Sequence, residues 1–101
     1  MVLRWTEDAV YNLEEYRRYS RKTLVNLEKY LISLIRSINL LLCYPKLGKV
    51  ILILENYEIR KLIHKEHQIL YRIENDVIII LSFVHIKYPI ENVLKYIGRK
   101  F

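Results

Sequence analysis

The chain is predicted to be an α+β protein, a helical hairpin packed on a twisted, mostly antiparallel β-sheet with a short C-terminal helix. Three features point there. Apolar residues recur at intervals of three and four from Leu24 to Leu42. The period then breaks at Tyr44-Pro45-Lys46-Leu47-Gly48-Lys49. Beyond the break, four runs rich in Ile, Val, Leu and Tyr follow, the last two joined by Asn75-Asp76.

Composition bounds the rest. A chain of 101 residues, 52% hydrophobic and 28% charged, fits one domain with one modest core, so residues 1–101 are taken together. Two Gly and two Pro leave no linker or low-complexity stretch. Met1 to Trp5 leads into polar residues without the apolar run of a signal peptide, and the apolar runs are too short to span a bilayer. Lone Cys43, at the end of an apolar helical pattern, is expected to be a buried reduced thiol. A cytoplasmic protein with no membrane partner is expected. With one Cys and three His in no recognised ligand spacing, neither metal nor cofactor is expected. A formal charge of +6 favours an anionic partner, nucleic acid or an acidic protein segment.

Each element follows from local chemistry. Val2 to Trp5 alternates as a short strand does, and Thr6, Glu7 and Asp8 supply an N-cap hydroxyl and an acidic first turn. Ala9, Leu13 and Tyr16 give the first helix its inner face, with an end near Tyr19. A second helix starts at Ser20, its apolar face made of Leu24, Leu27, Leu31, Leu34, Ile35, Ile38, Leu41 and Leu42. Strands are expected over Val50 to Leu54, Glu58 to Ile63, Gln68 to Glu74 and Val77 to His85. His64 and His67 fall at a hairpin turn. Pro89 opens a short helix over Glu91 to Ile97, and Gly98 with the basic residues after it suits the helix end.

Period-two alternation across the Asn75-Asp76 hairpin turns Ile69, Tyr71, Ile73, Ile78, Ile80 and Val84 toward the helices. Gln68, Leu70, Arg72, Ile79, Leu81, Phe83 and His85 then share the opposite face with Lys61, while Arg60 falls on the helix side. An incompletely covered face of this kind is where a partner would dock.

Four stretches resemble the RelE/ParE superfamily of toxins from bacterial type II toxin–antitoxin systems. "LRWTEDAVYNLEEYRRY" is similar to the family's opening strand and helix, with Trp5, Asp8, Ala9 and Leu13 at its matching positions. "YPKLGK" resembles its Pro-x-x-Gly joint, and "EIRKL" its strand with Arg60 two residues before Leu62. "HQILYRIENDVIIILSFVH" resembles its hydrophobic hairpin, with Tyr71, Arg72, Asp76, Ile80 and His85 in the matching places. The joint and the Tyr-Arg hairpin resemble the ParE branch more than the RelE branch.

The resemblance implies a growth-arresting toxin neutralised by an acidic cognate antitoxin, with DNA gyrase as the target in the ParE manner. Its alternative is a RelE-like endoribonuclease acting on ribosome and mRNA, which would need cations at the scissile phosphate and a general acid–base group. Arg72, His85 and Tyr88 are the catalytic candidates for that chemistry, with Lys61 and Lys87 as further cations and Glu55 and Glu66 as unplaced carboxylates. RNA-cutting relatives commonly carry an Arg where this chain has Gln68, and Gln cannot neutralise a phosphate. A strand-end His is, moreover, more often structural. A third alternative is a non-toxic basic interaction module. For target or antitoxin binding the expected residues are Lys61, Gln68, Leu70, Arg72, Leu81 and Phe83, with Leu70, Leu81 and Phe83 as apolar anchors.

Overall fold

The computed structural model describes the backbone of residues 1–100 and the side chains of residues 1–97. Its elements run β1 (Val2–Trp5), α1 (Glu7–Tyr19), α2 (Leu24–Asn39), a 3-10 turn (Leu40–Leu42), β2 (Lys49–Ile53), β3 (Glu58–His64), β4 (His67–Glu74), β5 (Val77–His85) and α3 (Ile90–Lys100). The five strands lie in the order β1-β5-β4-β3-β2. All neighbours are antiparallel except β1, which runs parallel to β5.

Thr6 fixes the start of α1 twice. Its hydroxyl accepts from the Ala9 amide at 3.2 Å and donates to the Ile80 carbonyl at 3.0 Å, so one side chain caps the helix and ties it to β5. A cap of this type contributes about 1 kcal/mol. Ser20, expected to open the second helix, instead closes α1, its amide donating to the Tyr16 carbonyl at 2.9 Å. Thr23 caps α2. The β3–β4 and β4–β5 turns place their first residue in the left-handed region, Lys65 at φ 50 and Asn75 at φ 54.

The breaker segment is locked onto the sheet by Tyr71. The Tyr71 hydroxyl donates to the Pro45 carbonyl at 2.7 Å and accepts from the Gly48 amide at 2.8 Å. Arg60, on the same side of the sheet, donates to the Gly48 carbonyl at 2.8 Å. Pro45 and Gly48 thereby bring the chain from α2 into β2 across a single aromatic side chain.

Two cores result, one on each face. Ala9, Tyr30, Leu34, Ile38 and Leu41 of the hairpin and its 3-10 turn pack on Ile69, Tyr71, Ile78, Ile80 and Phe83. On the other face Val93 and Ile97 of α3 pack on Ile59, Leu70, Ile79 and Leu81. Each large side chain buried this way contributes roughly 1.5–3 kcal/mol.

Several expectations are corrected. The face carrying Leu70 and Leu81 is covered, because α3 folds back over it. Phe83 is on the helix side, not the α3 side: Leu70 pairs with Ser82 but Tyr71 with Ile80, so Leu81 is an extra residue and inverts the alternation beyond it. Val84 consequently packs with the α3 core. Asn12 on α1 occupies the bulge, its Oδ1 accepting from the Phe83 amide at 3.2 Å and the Ser82 hydroxyl at 3.3 Å. Leu24, Ile35 and Leu42 fit the helical period of α2 yet are exposed, as the sheet covers a narrower stripe than the apolar pattern offers. Cys43 is exposed rather than buried. Gly98 does not end α3, which continues to Lys100. The Arg99 and Lys100 side chains lie outside the described residues.

Candidate functional site

The richest polar cluster lies where the α1–α2 elbow, the β3–β4 turn and the end of β5 meet. His64 and His67 close the β3–β4 hairpin as a cross-strand pair, which presents both rings beside α2. Tyr30 comes down between them. Its hydroxyl donates to the His64 carbonyl at 3.3 Å and also contacts Nδ1 of His67. A phenol has one proton, so with that proton on the carbonyl the His67 Nδ1–H is the donor to the Tyr30 oxygen. His64 is assigned by the same reasoning. The Ser33 hydroxyl donates to the Tyr30 carbonyl at 2.8 Å and so accepts from His64 Nε2 at 3.0 Å, leaving His64 Nδ1 to accept from Ser37 at 2.7 Å.

Electrostatics follow burial. His67 is only 3% exposed and stacks on Phe83 with ring centroids 4.3 Å apart. Burial lowers its pKa to about 4, so the ring is neutral at pH 7. His64 is lowered for the same reason, with the Lys65 charge adding to it. Burial also raises the Tyr30 phenol.

Glu66, in the turn between the two histidines, is the hub at the surface. It accepts from Lys22 Nζ at 3.1 Å and from the Tyr16 hydroxyl at 3.3 Å, and its other oxygen lies 3.9 Å from His85 Nε2. Burial alone would raise the Glu66 carboxyl, but the hydrogen bond and charge of Lys22 outweigh it and the pKa falls. The same hydrogen bond raises the Lys22 ammonium. A surface carboxylate, a phenol, an ammonium and an imidazole therefore converge at this end of the sheet.

Few of the residues singled out in the sequence join that cluster. His85 does, because the Leu81 bulge turns it to the helix side, where its ring lies 5.7 Å from that of His67. Its Nδ1 accepts from the Lys87 amide at 3.0 Å. Tyr88 is exposed just beyond β5. Arg72 is elsewhere: it pairs with Ile79, five residues along β4 from the His67–His85 pair, a separation of roughly 17 Å. It sits on the α3 face, ion-paired with Glu74 at 2.8 Å and stacked on Tyr57 at 4.4 Å. The expected catalytic trio of Arg72, His85 and Tyr88 is thus not brought together.

Gln68 is buried at 3% exposure, and its amide donates to the carbonyls of His85 at 3.4 Å and Tyr88 at 3.2 Å. It holds the turn after β5 and does not face solvent. Lys61 is half-buried beside Leu70 on the α3 side. Leu70, Leu81 and Phe83 are all buried, so none of the three expected anchors is at the surface. Exposed apolar side chains lie instead on the outer flank of α2, where Leu24, Val25 and Ile32 are 71%, 61% and 54% exposed, and on the strands at Ile53 and Ile63. Tyr16, Tyr30 and Lys22 were not anticipated, for they come from separate segments with no motif spacing, while Glu66, an unplaced carboxylate in the sequence, is given its place here by the β3–β4 turn.

A helical hairpin laid over one face of a mostly antiparallel sheet, with a C-terminal helix on the other, defines a small α+β domain of the toxin class resembled by the sequence. The family model described as "ParE toxin of type II toxin-antitoxin system, parDE" matches residues 3–87. The chain belongs to this ParE toxin family, within the RelE/ParE superfamily. No curated individual protein matches it. No helix among the described residues is long and apolar enough to cross a membrane.

Proposed function

We propose that this toxin arrests growth by ParE-like inhibition of DNA gyrase and that an acidic cognate antitoxin neutralises it. The observation that carries the first half is the separation of Arg72 from His85 onto opposite faces and different ends of the sheet. RNA cleavage needs cations and an acid–base group around one phosphate, and Gln68, where RNA-cutting relatives carry Arg, is spent on main-chain carbonyls. Inhibition by a protein contact needs no such constellation. Purified toxin is expected to block supercoiling and to trap cleavage complexes. Gyrase left unaltered at a stoichiometric excess of toxin overturns this reading.

An endoribonuclease is the second reading, and one observation favours it: exposed His85 stands beside Glu66 and Lys22. Primer extension after brief induction separates the two. Codon-phased cuts support the nuclease; intact messages during arrest support gyrase. A folded chain that leaves growth untouched would favour the third reading, a non-toxic basic interaction module. For the antitoxin, the +6 charge favours an acidic segment. Leu70 and Leu81 are beneath α3, so the α2 flank of Leu24, Val25 and Ile32 offers the accessible anchors, and the expected charged contacts Lys61 and Arg72 lie apart from it on the α3 side of the sheet.

A further inference from the structure

The positive charge of this chain is not spread evenly. Two shallow depressions of about 460 and 450 Å³ adjoin at the α1–α2 elbow and share Lys22 and Glu66. Lys29, Lys65 and Asn26 complete one of them, and Arg21 lines the other. Four cations and one carboxylate leave three net positive charges there, half of the +6 of the whole chain. The carboxylate is consumed internally, since Glu66 holds Lys22 and the Tyr16 hydroxyl. Among the described residues Lys29, Lys65 and Arg21 have no carboxylate within ion-pair reach. Glu28 is 100° round the helix from Lys29 by the helical repeat of about 3.6 residues.

The cations are also placed by the fold. Lys22 and Lys65 both stand over the Tyr30 ring, 5.2 and 5.8 Å from its centroid. Tyr30 is anchored by His64 and His67. Lys65 is projected by its left-handed turn position.

We propose that this elbow binds the phosphodiester backbone of duplex DNA, and that in the gyrase reading, on which its biological setting rests, it contacts the DNA held by gyrase. The lining decides between DNA and an acidic protein. It contains no aliphatic side chain, and its apolar surface is the rings of Tyr16, Tyr19 and Tyr30. A protein segment would gain about 0–1 kcal/mol per exposed ion pair and would find one exposed ring, Tyr19, to anchor on. Duplex DNA, with one charge per roughly 1.7 Å of axis, gains from counterion release at each neutralised phosphate and needs no anchor.

The test is fluorescence anisotropy of a labelled DNA duplex titrated with intact toxin across a salt series. Lys29→Gln/Lys65→Gln leaves the Lys22–Glu66 pair in place. It is expected to lower the slope of log affinity against log salt by about 1.8 and to weaken binding roughly 60-fold at about 0.1 M salt. Lys46→Gln/Lys49→Gln removes the same charge near β2 and is expected to change binding much less. Three outcomes overturn the proposal: an unchanged slope in the elbow variant, an equal loss in the β2 variant, or displacement of DNA by polyglutamate of matched charge. Tighter binding of an RNA duplex of the same length, lost in the same variant, overturns it in favour of RNA. Supercoiling assays on the same proteins keep the two readings apart. A wild-type toxin inert toward gyrase refutes the gyrase reading and leaves the DNA titration to decide the elbow. A fully inhibitory elbow variant with wild-type DNA affinity refutes only the elbow.

Discussion

The Tyr71 hydroxyl fills the space that a side chain at Gly48 would need. A Cβ built on Gly48 would fall 2.7 Å from both Cε1 and the hydroxyl of Tyr71 and 2.9 Å from the Lys61 carbonyl oxygen. The backbone there has no unusual φ, so the demand for glycine is one of close approach. Gly48→Ala is therefore expected to cost about 2–4 kcal/mol through overpacking and loss of the Tyr71 hydrogen bonds. In a Tyr71→Phe background the same substitution should cost less, by roughly 0.5–3 kcal/mol. Urea denaturation of the four proteins of this cycle measures it, and strict additivity would show that the hydroxyl and Gly48 are not coupled.

Phe83 is the residue whose meaning changes most between sequence and structure. As an open-face anchor, its truncation would weaken partner binding and leave folding alone. In the core it is 2% exposed, stacked on His67 and edge-on to Tyr16. Phe83→Ala is expected to cost about 3–5 kcal/mol of folding stability, read from the denaturation midpoint. A loss under 1 kcal/mol, on the order of a surface substitution, would place the side chain outside the core.

That change shows where a sequence stops being legible. The hairpin, the strand runs and the Asn75-Asp76 turn were readable because each repeats a local period or carries turn residues. A one-residue bulge carries no such mark. Leu81 fits its strand as well as Ile80 does, and only Asn12, far away in sequence, receives the freed Phe83 amide. Coverage is equally non-local: Val93 and Ile97 announce an amphipathic helix but not the sheet face it takes. The elbow cluster joins Tyr16, Lys22, Tyr30 and Glu66 only through the fold. The spacing of His64 and His67 about a two-residue turn was the one local hint of it.

The buried imidazole makes stability depend on pH in a defined direction. In the unfolded chain His67 takes a proton near 6.5, but in the folded chain only near 4, because burial disfavours the charged ring. Between those values the unfolded state binds more protons. Stability is thus full above about 6.5 and falls as pH drops toward 4, with no further loss from this group below. Glu66 attracts the proton, while His85, Lys22 and His64 repel it. From pH 7 to 5 the loss from His67 is about 2 kcal/mol. His64, also lowered, adds in the same direction. Thermal melts over this range should show the decline, and His67→Phe should flatten most of it. A wild-type melting temperature constant over this range would refute the buried neutral ring.

Gln68 offers the sharpest contrast between a structural and a catalytic residue. Its amide is directed at the His85 and Tyr88 carbonyls, so it holds the turn that carries β5 into α3. Gln68→Ala leaves those carbonyls without this donor and opens a small space beside Val84, its cross-strand neighbour. The expected cost is about 1–3 kcal/mol. Gln68→Arg must bury a longer, charged side chain where only two neutral acceptors wait, and is expected to destabilise more than the alanine variant. It should not create RNA cleavage, because Arg72 would still be roughly 17 Å along the strand from His85. Denaturation midpoints together with primer extension on cells expressing Gln68→Arg decide the matter. New codon-phased cuts in that strain would mean that a single cation completes a nuclease site around His85 and Glu66, and the gyrase reading would have to give way.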